Sequence, residues 1–454
     1  MRILRRTLVV LLVVVLVLVA GAVAVYWWQR PMLRTGTGYA AHNACAVTEV
    51  AGRDDPASDL PSNPLVPYLQ VDVDREEGVT TGSLLGLLAA QKAWFTPGFG
   101  CTLAEEAPEL GEASTVSGEG NPFTDAAAPA PSDELDAALA AAFGDELSEA
   151  DAAALGTRGV VVAKGGELVA ERYAHGFDAE TPQLGWSMSK SATSLIAGML
   201  AQQGEIALDD AGLRPEWSDE RADITVEQLL RMTSGLEWDE TYDLGTPITQ
   251  MLYNEGDMAG YVAGLPLEST PGTVQEYSSG STTLLCSVLA ERTGLGADLP
   301  RQTLLGALGL SSATFEPDAA GTPVCSSYLW ATPRDWAAIG QFALQNGEWN
   351  GEQLLPADWM AKSLEVLPVD ATDDPGYGMG WRVNVLADGS LRWPELPEDT
   401  YYASGHDGQK VIVVPSEDLV VVRMGFTPEA DDEPSEVQLV ADVIAALGTS
   451  PAAG

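Results

Sequence analysis

Between Leu8 and Tyr26 the chain carries no charged or hydrogen-bonding side chain except the tyrosine that ends the run. At about 1.5 Å per residue this stretch can cross a hydrocarbon core of about 30 Å. Trp27 and Trp28 suit the membrane–water interface, and Arg2, Arg5 and Arg6 favour retention of the N-terminus in the cytoplasm. The pattern predicts a membrane-spanning anchor over residues 1–30, with the rest of the chain on the extracytoplasmic side. Ala22-Val23-Ala24 also fits a signal-peptidase site, which would release a secreted protein, but the run exceeds the usual signal-peptide core of about 7–15 residues.

Beyond the anchor the pattern changes in two places. Residues 31–125 are mixed in character, and the Gly-, Ser-, Glu- and Pro-rich stretch near 107–122 reads as a loop or linker. "DAAAPAP", from Asp125 to Pro131, is a compositional break that places the start of the main domain at 126, running to 454. "SDELDAALAAAF" then gives a helix with Ser132 as N-cap and Leu135, Leu139 and Phe143 at helical spacing. "GVVVAKGGELVAERYAHGF" gives two strands around Gly165-Gly166, and "QKVIVVPSEDLVVVRMG" gives a second hairpin near the C-terminus. Helical patterns run from Ser187 to Gly204, through "TVEQLLRMTSGL" and "STTLLCSVLAERTG", through "TPRDWAAIGQFALQNG", and through "SEVQLVADVIAALG". Strands at both ends with helices between predict an α+β domain: an antiparallel sheet flanked by helices, with a mainly helical subdomain inserted.

Composition narrows the partners. With 23 basic and 66 acidic residues the formal charge is −43, a field that repels nucleic acid and anionic lipid headgroups. Three histidines, His42, His175 and His406, and the lack of any C-x-x-C or H-E-x-x-H leave no zinc motif, so neither a metal nor a cofactor is expected. An extracytoplasmic location permits a Cys45–Cys101 disulfide in the segment after the anchor. Cys286, in an apolar helical run, reads as a buried thiol, and Cys325 is either free or its partner.

Only five lysines occur in the chain, and one of them, Lys190, follows Ser187 at i+3 in "GWSMSKSATS". On a helix the two side chains share a face, and a neutral lysine amine is a base able to take the serine proton. A helix N-terminus and burial both favour that neutral form. Taken alone, the pair reads equally as an N-cap serine and a snorkelling lysine. "QEYSSGSTTLL" sets Tyr277 two residues before Ser279, at a helix start, where a phenol can relay protons. "ASGHDGQKVIVV" sets His406 and Gly408 at the entry of a strand, where the Gln409 amide can face a developing oxyanion.

Ser187-Met188-Ser189-Lys190, Tyr277-Ser278-Ser279 and His406-Asp407-Gly408 together resemble the serine β-lactamase and penicillin-binding-protein superfamily. The flanking "LLRMTSGLEWDE" and "ATPRDWAAIGQF" look most like its class C-related branch, with its esterases, D-amino-acid peptidases and 6-aminohexanoate-dimer hydrolases. The likeness covers about 130–447 and implies a β-lactamase/DD-peptidase-like fold. It implies Ser187 as acylated nucleophile, Lys190 as its base, Tyr277 as proton shuttle to the leaving group, and the Ser187 and Gln409 amides as oxyanion hole. His406, Gly408 and Ser279 match substrate-binding positions, and Tyr242 lies where the dimer hydrolases supply a substrate-contacting tyrosine.

Three departures bear on substrate. Ser279 stands where asparagine is usual, His406 where penicillin-directed enzymes carry lysine, and Met232 where many relatives have histidine. These favour a small-molecule or peptide-like ester or amide over a β-lactam. The opposing readings are a true β-lactamase or D,D-peptidase, and a catalytically silent binding or sensor domain on the same fold. An α/β-hydrolase is disfavoured, since it would need G-x-S-x-G and no complete instance occurs.

Overall fold

The apolar run does not end its helix at the expected membrane boundary. In a computed structural model, which describes residues 2–61, 63–127, 130–427 and 434–448, a single helix α1 extends from Arg2 to Glu49 with Pro31 inside it. Its first half projects with Leu8 and its apolar neighbours exposed, and by length and composition it is able to cross a membrane. Its second half, from Thr35 to Thr48, is buried against the body of the protein. Ala128 and Pro129 of the compositional break, and residues 449–454 at the end of the main domain, lie outside the described residues.

Four antiparallel strands, β1 (Leu69–Asp74), β2 (Val79–Leu84), β3 (Leu88–Thr96) and β4 (Gly100–Leu103), wrap that buried half. Sequence pattern gave no strand here, because β1 is mostly exposed and polar and β2 is interrupted by Gly82. The glycine is required by contact: a Cβ at Gly82 would lie 2.3 Å from the Thr37 carbonyl oxygen of α1. The expected Cys45–Cys101 disulfide joins α1 to β4. Glu316, fully buried in the main body, accepts from the Cys101 amide at 2.7 Å and from Trp330 Nε1 at 2.9 Å, and lies 3.0 Å from His42 Nε2 of α1. Farther out, the Asp59 carboxylate bonds both Arg53 and Arg158 at 2.7 Å. Burial pushes that carboxyl up, but the two guanidinium groups outweigh it and hold it below its usual value.

The main body is the anticipated α+β arrangement. Six antiparallel strands run in the order Arg382–Val383, Tyr401–Gly405, Gln409–Val414, Leu419–Gly425, Thr157–Lys164 and Glu167–Tyr173, so that N- and C-terminal hairpins share one sheet. Both faces of the sheet centre are covered, which is why Gln409–Val414 and Leu419–Gly425 are buried at every position and mostly apolar, while the outer strand Glu167–Tyr173 carries charged residues. Val160, Val162, Ile412 and Val421 face the terminal helices Asp133–Phe143 and Pro434–Gly448. Val161, Val411, Val420 and Val422 face the helices Met188–Gln203 and Pro333–Leu344. Short helices at Val226–Leu230, Pro247–Asn254 and Met258–Ala263, with the longer Ser279–Thr293, form the helical part.

Cys286 is not a free thiol: it is bonded to Cys325, linking the Ser279–Thr293 helix to the loop before the Leu329–Ala331 strand. An apolar helical setting cannot separate a buried thiol from a buried disulfide, since both present the same pattern to a sequence reader. Intact-mass labelling of the denatured, unreduced chain is therefore expected to find no reactive thiol, and four after reduction. Replacing Cys45 and Cys101 by serine should cost about 4 kcal/mol in the chain-entropy treatment for a bridge spanning 56 residues, read from a denaturant midpoint.

Candidate active site

The Met188–Gln203 helix begins beneath the edge of the main sheet, and its approach is tight. A Cβ at Gly185 would lie 2.1 Å from the Trp336 ring, and one at Gly405 would lie 2.1 Å from the Gly185 carbonyl oxygen. Trp186 follows with φ +49°, a left-handed conformation that costs a non-glycine residue about 1–2 kcal/mol. Its ring sits among Tyr39, Tyr242, Tyr328 and His406, all with centroids 5.9–6.4 Å away. This turn delivers Ser187 to the N-cap position, but the serine side chain does not cap the helix. No acceptor among the described residues takes the Ser187 N–H.

Instead, Lys190 Nζ donates to Ser187 Oγ at 2.9 Å. The same amino group donates to Ser279 Oγ at 2.9 Å and to the Ser326 carbonyl oxygen at 3.1 Å, and Lys190 is only 2% exposed. Tyr277 is half-buried, with its ring centroid 4.7 Å from Lys190 Nζ and 4.7 Å from the Arg382 guanidinium carbon. Ser187, Lys190 and Tyr277 are thus brought together as expected from their spacing. A nucleophile within hydrogen-bond reach of a buried amine is the arrangement general-base activation requires.

Ser279 is placed differently from a substrate contact. It is fully buried, its hydroxyl donates to Glu240 Oε1 at 2.5 Å, and its N–H donates to Glu240 Oε2 at 2.9 Å. Ser279 therefore bridges Lys190 to a carboxylate that the sequence did not single out. Glu240 also accepts from Trp238 Nε1 at 2.6 Å. It stands in "LEWDETYD", between that tryptophan and Tyr242, and in a chain with 66 acidic residues nothing in its spacing distinguished it.

His406, Gly408 and Gln409 lie at the mouth of the same region. The His406 ring is 4.8 Å from that of Tyr242, and its Nδ1 is 2.8 Å from Asp407 Oδ1. Gly408 borders the cleft and is also packed against Arg423: a Cβ there would lie 2.3 Å from Arg423 Nη1, which donates to the Gly408 carbonyl oxygen at 2.7 Å. The glycine, at φ +84°, is needed by the turn and by that guanidinium. Gln409 pairs opposite Gly405, and its side-chain amide holds both the N–H and the carbonyl of Gly425, at 2.9 and 2.6 Å.

A cleft of about 1060 Å³ opens here, bordered by Glu240, Tyr277, Arg382, Arg392, His406 and Lys410. A second cavity of about 540 Å³, bordered by Arg231, Gln275 and Tyr377, holds none of the expected residues. Of the expected residues, Tyr277, His406 and Gly408 line the larger cleft, whereas Ser187 and Lys190 lie behind the Tyr277 ring and are not part of its wall.

Residues 143–443 match the family model described as Beta-lactamase. The 6-aminohexanoate-dimer hydrolase of Paenarthrobacter ureafaciens is 27% identical over 296 residues, 61% of this chain and 74% of that protein. A novel penicillin-binding protein homolog from Caulobacter crescentus superposes with a TM-score of 0.55 at 17% identity, covering 70% of this chain and 99% of its own. A family VIII carboxylesterase does so with a TM-score of 0.50 at 16% identity, again covering 70% and 99%. At these identities the two structural likenesses speak to the fold alone.

Burial pushes the His406 imidazole down, but the hydrogen bond and charge of Asp407, with Glu240 behind it, carry it above 6.5. With the folded value raised, the His406–Asp407 pair stabilises the fold fully below the unfolded histidine value and loses that contribution as pH rises through the folded one. Asp407→Asn is expected to lower the His406 midpoint followed by imidazole NMR and to flatten stability across this window. An unchanged midpoint would clear Asp407 of the effect.

Proposed function

The chain belongs to the Beta-lactamase family of serine hydrolases, and from that premise we propose a membrane-anchored, extracytoplasmic amidase or esterase that works through an acyl-enzyme on Ser187. The observation that carries this reading is the 2.9 Å contact between Lys190 Nζ and Ser187 Oγ, made by a lysine with almost no solvent access.

Lys190, after passing one of its protons through Ser279 to Glu240, takes the hydroxyl proton as Ser187 Oγ bonds to the substrate carbonyl carbon. The negative charge that develops on the carbonyl oxygen is met by the Ser187 N–H, which has no acceptor within the described protein, and by that of Gln409. The C–N or C–O bond then breaks, and the leaving group takes its proton through Tyr277. Water, deprotonated by the same groups, cleaves the acyl ester and restores Ser187. Ser279, held between Lys190 and Glu240, gives the amine a hydrogen-bonded path to a carboxylate. Tyr242 and His406 border the place where the substrate lies.

The substrate class follows from what the site lacks. Without an asparagine at 279 no side-chain amide grips a β-lactam substituent, and Ser279 is itself turned inward to Glu240. A linear amide or ester is favoured, in keeping with the name of the Paenarthrobacter ureafaciens relative. Residues 1–30 act as the anchor, 31–125 as an extension, and 126–454 as the hydrolase domain. The long apolar helix and the two disulfides support the location.

Ser187→Ala is expected to lower hydrolysis of a p-nitrophenyl ester at least about a thousandfold, with Lys190→Ala and Tyr277→Phe each costing about a hundredfold or more. A fluorophosphonate adduct should map to Ser187 by mass spectrometry. A screen across esters, D-amino-acid amides, linear amide oligomers and a chromogenic β-lactam should show the β-lactam as the poorest. Ester turnover that survives Ser187→Ala would remove the mechanism.

A further inference from the structure

We propose that Tyr39, on the helix that carries the apolar N-terminal segment, is a positioning residue for Ser187. The inference rests on the reading of Ser187 as nucleophile and assigns that reading a dependence on residues outside 143–443, the stretch matched by the family. Trp186 is held in a left-handed conformation immediately before the serine, and a strained backbone persists only where its surroundings over-determine it. One wall of those surroundings comes from α1. The Tyr39 ring meets the Trp186 ring edge-to-face at 6.1 Å and 89°, and is itself stacked on Tyr253 at 4.7 Å and 8°.

That stack is fixed by how closely α1 approaches. A Cβ at Gly38 would lie 2.3 Å from the Tyr253 carbonyl oxygen, so no other residue lets the helix lie so deep. One turn on, His42 stacks at 4.1 Å on Tyr328, which also borders Trp186. The N-terminal helix therefore backs the turn that presents Ser187 to Lys190. Removing the Tyr39 ring frees Trp186 to relax, which moves Ser187 Oγ and its unbonded N–H out of register with their partners. Misplacement by about 1 Å costs a reaction of this kind up to about a hundredfold.

The test uses the full-length chain in detergent. Tyr39→Leu is expected to lower kcat for a p-nitrophenyl ester and the rate of fluorophosphonate labelling of Ser187 by about tenfold or more, with KM within about twofold. Tyr39→Phe, which keeps the ring, should retain wild-type kcat. Val47→Ala removes buried side chain from the same helix without touching Trp186, and should lower the melting temperature while leaving kcat unchanged. Should Tyr39→Leu not accumulate folded, Tyr39→Met refills the space with a flexible chain and serves in its place. Wild-type kcat in Tyr39→Leu, or an equal loss in Val47→Ala, would overturn the proposal while Ser187→Ala remains inactive. Activity in Ser187→Ala would overturn the nucleophile itself, and the Tyr39 role with it.

Discussion

A buried amino group must be surrounded by acceptors, because an unpaired one costs several kcal/mol in a low-dielectric interior. Lys190 meets this requirement with three oxygens from three separate parts of the chain: Ser187 at the start of its own helix, Ser279 at the start of another, and the Ser326 carbonyl in a loop. Those three elements cannot drift independently without stranding the lysine. The surrounding bonds are arranged to prevent drift. Thr193, one turn beyond Lys190, donates to the Cys325 carbonyl oxygen at 3.0 Å, and Thr283 donates to Ser326 Oγ at 3.0 Å. The Cys286–Cys325 disulfide then ties the Ser279–Thr293 helix covalently to the segment holding Ser326. The reactive distance is a by-product of satisfying one buried nitrogen.

The same constraint explains why so acidic a chain collects basic groups in one place. Arg382 lies over the Tyr277 ring and bonds Asp374 Oδ2 at 2.6 Å, while Lys410 donates to Ser404 Oγ at 2.9 Å on the far wall. Arg382 and Arg392 are neutralised by Asp374, and Glu240 and Asp373 add carboxylates to the lining of the same cleft. With a chain charge of −43, the long-range field disfavours anionic substrates approaching from solution, whatever the local cations offer once they arrive. Neutral or amine-bearing amides and esters meet no such barrier.

What the sequence disclosed depended on periodicity and on motif spacing. The two hairpins of the main sheet and the helices at Asp133–Phe143, Met188–Gln203 and Pro333–Leu344 fell where alternation and helical spacing put them, because both covered faces of the sheet impose a continuous apolar pattern. Ser187, Lys190 and Tyr277 were legible because three short motifs recur in one order. The β1–β4 meander was not, since its outer positions are polar and its inner ones are small. "RTGTGYAAHNACA" falls in the stretch that reads as mixed in character, yet it is helical here because Gly36, Gly38 and the alanines let α1 press against its neighbours. Tertiary packing overrode propensity there. Glu240 and Tyr39 escaped notice for a related reason: their importance lies in contacts with residues distant in sequence, Ser279 for the one and Trp186 and Tyr253 for the other.

That packing also bears on how the apolar segment relates to catalysis. A flexible tether would let the hydrolase domain rotate freely over a bilayer, whereas α1 passes without interruption from its exposed apolar half into the interior of the protein. The 13 residues from Tyr26 to Tyr39 rise about 20 Å. The exposed apolar half of α1 is therefore continuous with the half that packs against the hydrolase body. Pro31 is tolerated in this stretch because the rest of the helix is braced by β1–β4 and by the Cys45–Cys101 bridge.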